Sequence, residues 1–205
     1  MKRSLRFYWI GLLVAGLEEF ITQGVLKKTY GGWIIPTIVA FFPFLALVRL
    51  IGWLLGGRLS EAGASLIYYL SAGSIGLLLE WFLMGLSPWK DPYAPFPAMV
   101  LFQLGMFSFW GGVAFAPRLL LDRSEAVSRV RKSYLRFLIF GMATIYAVTF
   151  AAPPKAQFAA SIITVLSTFL GLNFFYFQYI RLLNESGKGE AIAASASRDS
   201  SGCLR

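Results

Sequence analysis

The sequence predicts an all-α, polytopic integral membrane protein, a bundle of six transmembrane helices. Three observations point to it. Of 205 residues, 57% are hydrophobic and only 14% charged, whereas a soluble domain carries about 25% charge. The mean hydropathy is correspondingly high, +0.65. The apolar residues come in runs near the length of about 20 that crosses ~30 Å of hydrocarbon as a helix. Finally, the basic residues collect in alternate connections between the runs, the pattern that orients membrane helices.

The first span is expected from about Phe7 to Leu26, after Lys2, Arg3 and Arg6. It imitates a signal peptide, but it has no Ala-x-Ala site and runs on through two glutamates, so it reads as an uncleaved helix. The second span is expected over Trp33 to Leu55, with Pro36 and Pro43 loosening its hydrogen-bond ladder. The third is expected over Ser65 to Leu86. The connection 87–97 carries four prolines, which forbid a helix and stiffen an external loop. The fourth span is expected over Ala98 to Leu120, the fifth over Tyr134 to Ala151 and the sixth over Phe158 to Leu182. Residues 1–183 thus form a six-helix membrane domain. Residues 184–205, rich in Ser, Ala and Gly, are expected to be a disordered cytoplasmic tail.

One set of connections holds Lys2, Arg3, Arg6, Arg58, Arg123, Arg129, Arg131, Lys132, Arg136, Arg181 and Lys188. The other holds Lys27, Lys28, Lys90 and Lys155. This bias predicts a multi-pass protein of the cell membrane with both termini cytoplasmic. Trp33, Trp53, Trp89 and Tyr30 fall near the span ends, where aromatic rings prefer the interface. The net charge of +9 is accounted for by orientation, and no nucleic-acid partner is expected.

The residue inventory excludes several chemistries. There is no histidine, which removes His metal sites, His general bases and His-ligated haem. A single cysteine, Cys203, permits no intrachain disulfide. No Walker A loop, dinucleotide fingerprint, C-x-x-C or G-x-S-x-G motif occurs. No metal and no cofactor is expected. The Glu18-Glu19 pair resembles the first motif of intramembrane CAAX-type proteases, but those need histidines as well, so no family is assigned.

The informative residues are the acids inside spans. An ionisable group at membrane depth costs on the order of 2.5–3.5 kcal/mol and is a functional-site candidate by default. Glu18 and Glu19 lie in the first span and Glu80 in the third. Gly11, Ala15, Glu19 and Gln23 share one row of a helix, as do Ala72, Gly76 and Glu80. Small residues in such rows mark close helix contacts, so Glu19 and Glu80 are expected to face the bundle interior. At 1.5 Å per residue, Glu19 sits about 18 Å and Glu80 about 22 Å from the cytoplasmic ends of their helices. Both therefore lie in the outer half, level with Gln23 and Gln103.

An outward-facing acidic site for a small cationic or protonatable substrate is the leading expectation. In it Glu19 and Glu80 bind or exchange protons, Glu18 is accessory, and Gln23 and Gln103 orient the substrate. Two alternatives remain open: a membrane-embedded lipid or isoprenoid enzyme with a glutamate as general acid, and a non-catalytic subunit of a larger complex. On the cytoplasmic side, Val127, Val130 and Tyr134 share a helix face behind five bases. Arg129, Arg131 and Lys132 are thus candidates for binding anionic lipid headgroups. A homo-oligomer or a partner membrane subunit are the protein partners to be considered. Arg49 and Arg118 lie near inner helix ends, where long basic side chains reach toward headgroups.

Overall fold

The computed structural model describes residues 2–20, 31–82, 85 and 96–202. Among them every regular element is helical. The α-helices are α1 (Lys2–Glu19), α2 (Ile34–Leu55), α3 (Glu61–Phe82), α4 (Phe96–Leu121), α5 (Glu125–Arg136), α6 (Met142–Ala151) and α7 (Gln157–Gly202), with a π-helical turn, Phe137–Gly141, joining α5 to α6. Among the described residues, three helical stretches are long and apolar enough to cross a membrane: Thr37–Leu55, Glu61–Phe82 and Met99–Leu121. In α1 the apolar stretch Ser4–Leu17 is shorter. Much of the outer surface is apolar, with Ile35, Trp53, Phe82 and Phe140 all strongly exposed, as suits helices solvated by lipid rather than water.

Helix α4 is the axis of the fold. It packs against α1, α3, α5 and α7, and its segment 110–117 is buried throughout. Two hydrophobic clusters meet on it. One joins Ala15, Phe41, Phe44, Leu45, Val48 and Tyr68 to Trp110 and Val113. The other joins Phe115 and Leu119 to Val127, Val130, Tyr134 and Tyr176.

Glycines decide how closely α3 and α4 approach. A Cβ on Gly73 would meet Phe107 at 2.6 Å, one on Gly111 would meet Tyr69 at 2.6 Å, and one on Gly76 would overlap the Trp110 side chain. In lipid, where burying apolar surface gains little, such close packing is what holds helices together.

The second to fourth expected spans match α2, α3 and α4 closely, although α3 begins earlier, at Glu61. There Ser60 accepts from the Gly63 N–H at 3.2 Å and so starts the helix. The expected fifth span is the end of a longer helical run. Helix α5 continues without a break through the π-turn into α6. The extra residue of a π-turn shifts the helix face, and it seats Phe137 against Gly171 of α7. The structure also carries α7 as helix to Gly202, through the stretch expected from composition to be disordered. The Arg181–Glu185 pair, four residues apart at 2.8 Å, supports the start of this extension.

Gly76→Ala is expected to destabilise the protein by about 1–3 kcal/mol, the usual scale of overpacking. Gly16→Ala, whose Cβ would stand 3.8 Å from Trp33, should change little. Thermal melting of both purified variants in one detergent checks the contrast.

Candidate functional site

Glu80 is the best-defined of the acids. Its row on α3 is buried as a set, with Ala72, Gly76 and Glu80 all turned inward. Because Gly76 has no side chain, Trp110 of α4 lies directly against the α3 backbone one turn before Glu80. From there the indole Nε1–H donates to Glu80 Oε1 at 3.0 Å. Trp110 is itself fixed by Phe41, stacked at 4.5 Å, and by Phe44, edge-on at 4.7 Å. Glu80 is only 4% exposed. Its second oxygen, Oε2, is buried and has no hydrogen-bond partner among the described residues.

A buried carboxyl with one neutral donor on one oxygen is incompletely satisfied. Oε2 is the atom at which a proton or a cation would be held.

Glu19, the last residue of α1, is half-buried and lies within electrostatic reach of Glu80. Helices α1 and α3, which carry the two acids, both pack on α4. Gln103 is at the Glu80 end of α3. Its Oε1 accepts from Trp81 Nε1 at 2.7 Å, so it braces α4 against the residue next to Glu80 rather than pointing at the acid itself. Glu18 is on α1, but its side chain lies outside the described residues, as does the whole of Gln23. The proline loop from residue 86 to residue 95 is outside them too.

On α5, Val127, Val130 and Tyr134 turn into the protein core. Arg129 and Lys132 are exposed on the other face, and Arg131 is half-buried, donating to the Asp122 carbonyl.

A polar seam that the apolar pattern of the sequence did not reveal runs along α3, α4 and α7. Tyr69 donates to Asn173 Oδ1 at 2.7 Å, and Asn173 Nδ2 donates to Ser108 Oγ at 3.0 Å. Tyr176 stacks on Tyr69 at 3.8 Å and donates to the Ser65 carbonyl at 3.2 Å. Tyr68 donates to the Ala114 carbonyl at 3.1 Å. The signal was present in the spacing: Ser65, Tyr68, Tyr69 and Ala72 recur at helical intervals, as do Asn173 and Tyr176.

The arginines near the inner helix ends are engaged with protein. Arg49 donates to Ser4 of α1 and lies 5.5 Å over the Tyr8 ring. Arg118 lies 4.5 Å over the Tyr68 ring.

No family model matches the chain, no curated protein is similar to it, and no solved structure matches its fold.

Trp110→Phe keeps most of the ring packing but removes the indole donor. It is expected to cost about 1–3 kcal/mol, because Glu80 is left buried without a partner. Trp81→Phe, at a half-buried position, should cost clearly less. Chemical denaturation in detergent, followed by circular dichroism, measures both.

Proposed function

We propose that the chain is a six-span membrane protein that binds or transports a small cationic or protonatable substrate at Glu80 and Glu19. The observation that carries this reading is the Glu80 carboxyl: sealed in the α3–α4 seam, held through one oxygen by Trp110, and unpartnered at the other among the described residues. A group so expensive to place usually performs work.

A second acid within electrostatic reach adds negative potential that favours a proton or cation over an anion. In this reading Glu18 is accessory and Gln23 is an orienting donor. Gln103, whose carbonyl holds Trp81, offers its NH2 group to substrate. If the acids served to bond a partner subunit, Glu80 would face out of its own bundle, whereas it faces in.

The six-span reading takes α1, the α5–α6 run and the apolar part of α7 as the remaining three spans beside α2, α3 and α4. The start of α1, the end of α2, the start of α3 and the end of α4 gather at one end with Arg49 and Arg118. Arg6, Arg58 and Arg123 flank these helix ends in the chain, and the end at which bases collect is the cytoplasmic one by the positive-inside rule. This reading places both termini in the cytoplasm of a cell-membrane protein. It turns Arg129, Arg131 and Lys132 toward anionic headgroups.

The test is uptake of radiolabelled methylammonium and of ethidium into proteoliposomes under an imposed proton gradient. Wild-type protein should accumulate at least one of them. Glu80→Gln, which keeps an acceptor for Trp110, should lower that uptake about tenfold or more, the scale of a lost charged partner. The reading is sunk if the Glu19→Gln, Glu80→Gln double variant folds and transports as wild type, or if wild type moves neither probe.

A further inference from the structure

A cavity of about 850 Å³ opens at the other end of the bundle from Glu80. Its walls come from the ends of α1 to α5 and from α7: Ser4, Gly56, Glu61, Arg118, Glu125 and Tyr179 each contribute. It therefore lies where α2, α3 and α4, the three long apolar helices, all end. In a bilayer this is the level of the phospholipid headgroups.

Two arginines line it, Arg49 and Arg118. Arg118 is the more telling. Its guanidinium is fixed over the Tyr68 ring at 4.5 Å, and Tyr68 is itself tied to α4 through the Ala114 carbonyl. Yet Arg118 Nη1 is buried and has no acceptor among the described residues. A guanidinium is always charged and carries five donors in a rigid fork. One held in place with a buried N–H unmatched is prepared for an acceptor that the protein does not supply. Arg49, steadied by Ser4, provides a second positive charge on the same cavity. Phosphate oxygens match this arrangement, because guanidinium groups bind them through paired, charge-assisted bonds.

The cavity is not lined by positive charge alone. Glu61, Asp122 and Glu125 also contribute to its wall. Asp122 is occupied, since Oδ2 accepts from the Tyr179 hydroxyl at 2.9 Å and Oδ1 from the Ser124 N–H at 2.8 Å. Glu61 and Glu125 are exposed, each in the first turn of its helix. Three carboxylates would repel a plain anion. They suit a ligand in which an ammonium stands beside the phosphate.

We propose that this cavity binds an amino-phosphate, the chemistry of a phosphoethanolamine headgroup, with the phosphate on Arg118 and Arg49 and the ammonium toward Glu61 and Glu125. This site is separate from the acidic one and does not rest on it. The same chemistry is carried by phosphatidylethanolamine and by free phosphoethanolamine, and the two are separable by experiment.

The full chain, stripped of lipid in mild detergent, is incubated with equimolar phosphatidylethanolamine and phosphatidylglycerol of distinguishable chain lengths and weighed by native mass spectrometry. The ethanolamine lipid should be retained in clear preference. Arg118→Gln and Arg49→Gln should each lower its retention about tenfold, and Arg49→Gln serves alone if the other variant does not fold. Glu61→Gln with Glu125→Gln should abolish the preference while leaving phosphate-dependent retention. Displacement by millimolar free phosphoethanolamine would assign the site to the soluble compound, and resistance to it would assign the site to the lipid. Equal retention of the two lipids by wild type, or undiminished retention by a folded arginine variant, overturns the proposal.

Discussion

The contact on which the rest depends is the fit of Trp110 into the gap left by Gly76. It does three things at once. It sets the α3–α4 separation, since any side chain at residue 76 would occupy the indole's place. It presents the Nε1–H to Glu80, which could not otherwise be buried with a protein partner on that oxygen. It also gives α2 a surface to pack on, through the stacking of Phe41 and the edge contact of Phe44. The glycine, the tryptophan and the acid form one device: the first makes room, the second fills it, and the third is held by what fills it. Neighbouring turns repeat the fit with Gly73 against Phe107 and Gly111 against Tyr69.

Polar groups are distributed along this seam in a way that follows from the scarcity of water in a bilayer. Between the acid end and the arginine end, hydroxyls and amides are matched to one another or to backbone carbonyls, as with Tyr69, Asn173 and Ser108, and with Tyr68 and Ala114. Unmatched atoms are expensive there. The exceptions among the described residues are the Tyr134 and Thr168 hydroxyls and two atoms of ionisable groups, Glu80 Oε2 and Arg118 Nη1. The latter two carry opposite charge character and stand toward opposite ends of the bundle. That polarity follows the sequence, in which Glu80 comes near the end of α3 and Arg118 near the end of α4, two helices that are consecutive spans.

The sequence made much of this legible. Apolar runs located α2, α3 and α4 to within a few residues, and the Ala72, Gly76, Glu80 row turned Glu80 inward, because small residues allow approach and an acid avoids lipid. The tryptophan that meets Glu80 was not legible. It lies thirty positions away on another helix, and nothing in a one-dimensional pattern fixes the register of two helices. The same is true of Gln103, which is level with Glu80 as expected but pairs with Trp81. Arg118 read as an ordinary basic residue at a helix end, where reaching toward headgroups is the usual explanation. Only the positions of Tyr68 and of the surrounding helix ends show a guanidinium that lines a shared cavity and keeps a buried N–H unmatched. The π-turn was hidden because Phe137–Gly141 has the composition of any apolar helix, and its extra residue is set by the packing of Phe137 on α7.

Helix α4 carries a residue central to each end, Trp110 and Arg118, eight positions or about 12 Å apart along the axis. Both are locked to α3, the first through Gly76 and Glu80, the second through Tyr68. Sliding or rotating α4 against α3 would therefore disturb both ends together and would force the indole into backbone. On the reading proposed above, a motion that admits a substrate to Glu80 would move other helices around the α3–α4 pair. Helix α2 is suited to yield. Pro43 gives no N–H to the carbonyl of Val39 and weakens the ladder at that turn, while Phe41 and Phe44 on either side rest on Trp110 through ring faces and edges rather than hydrogen bonds. Ring contacts slide at lower cost than buried hydrogen bonds break. The proline thus stands beside the aromatic contact that backs Trp110, the partner of Glu80.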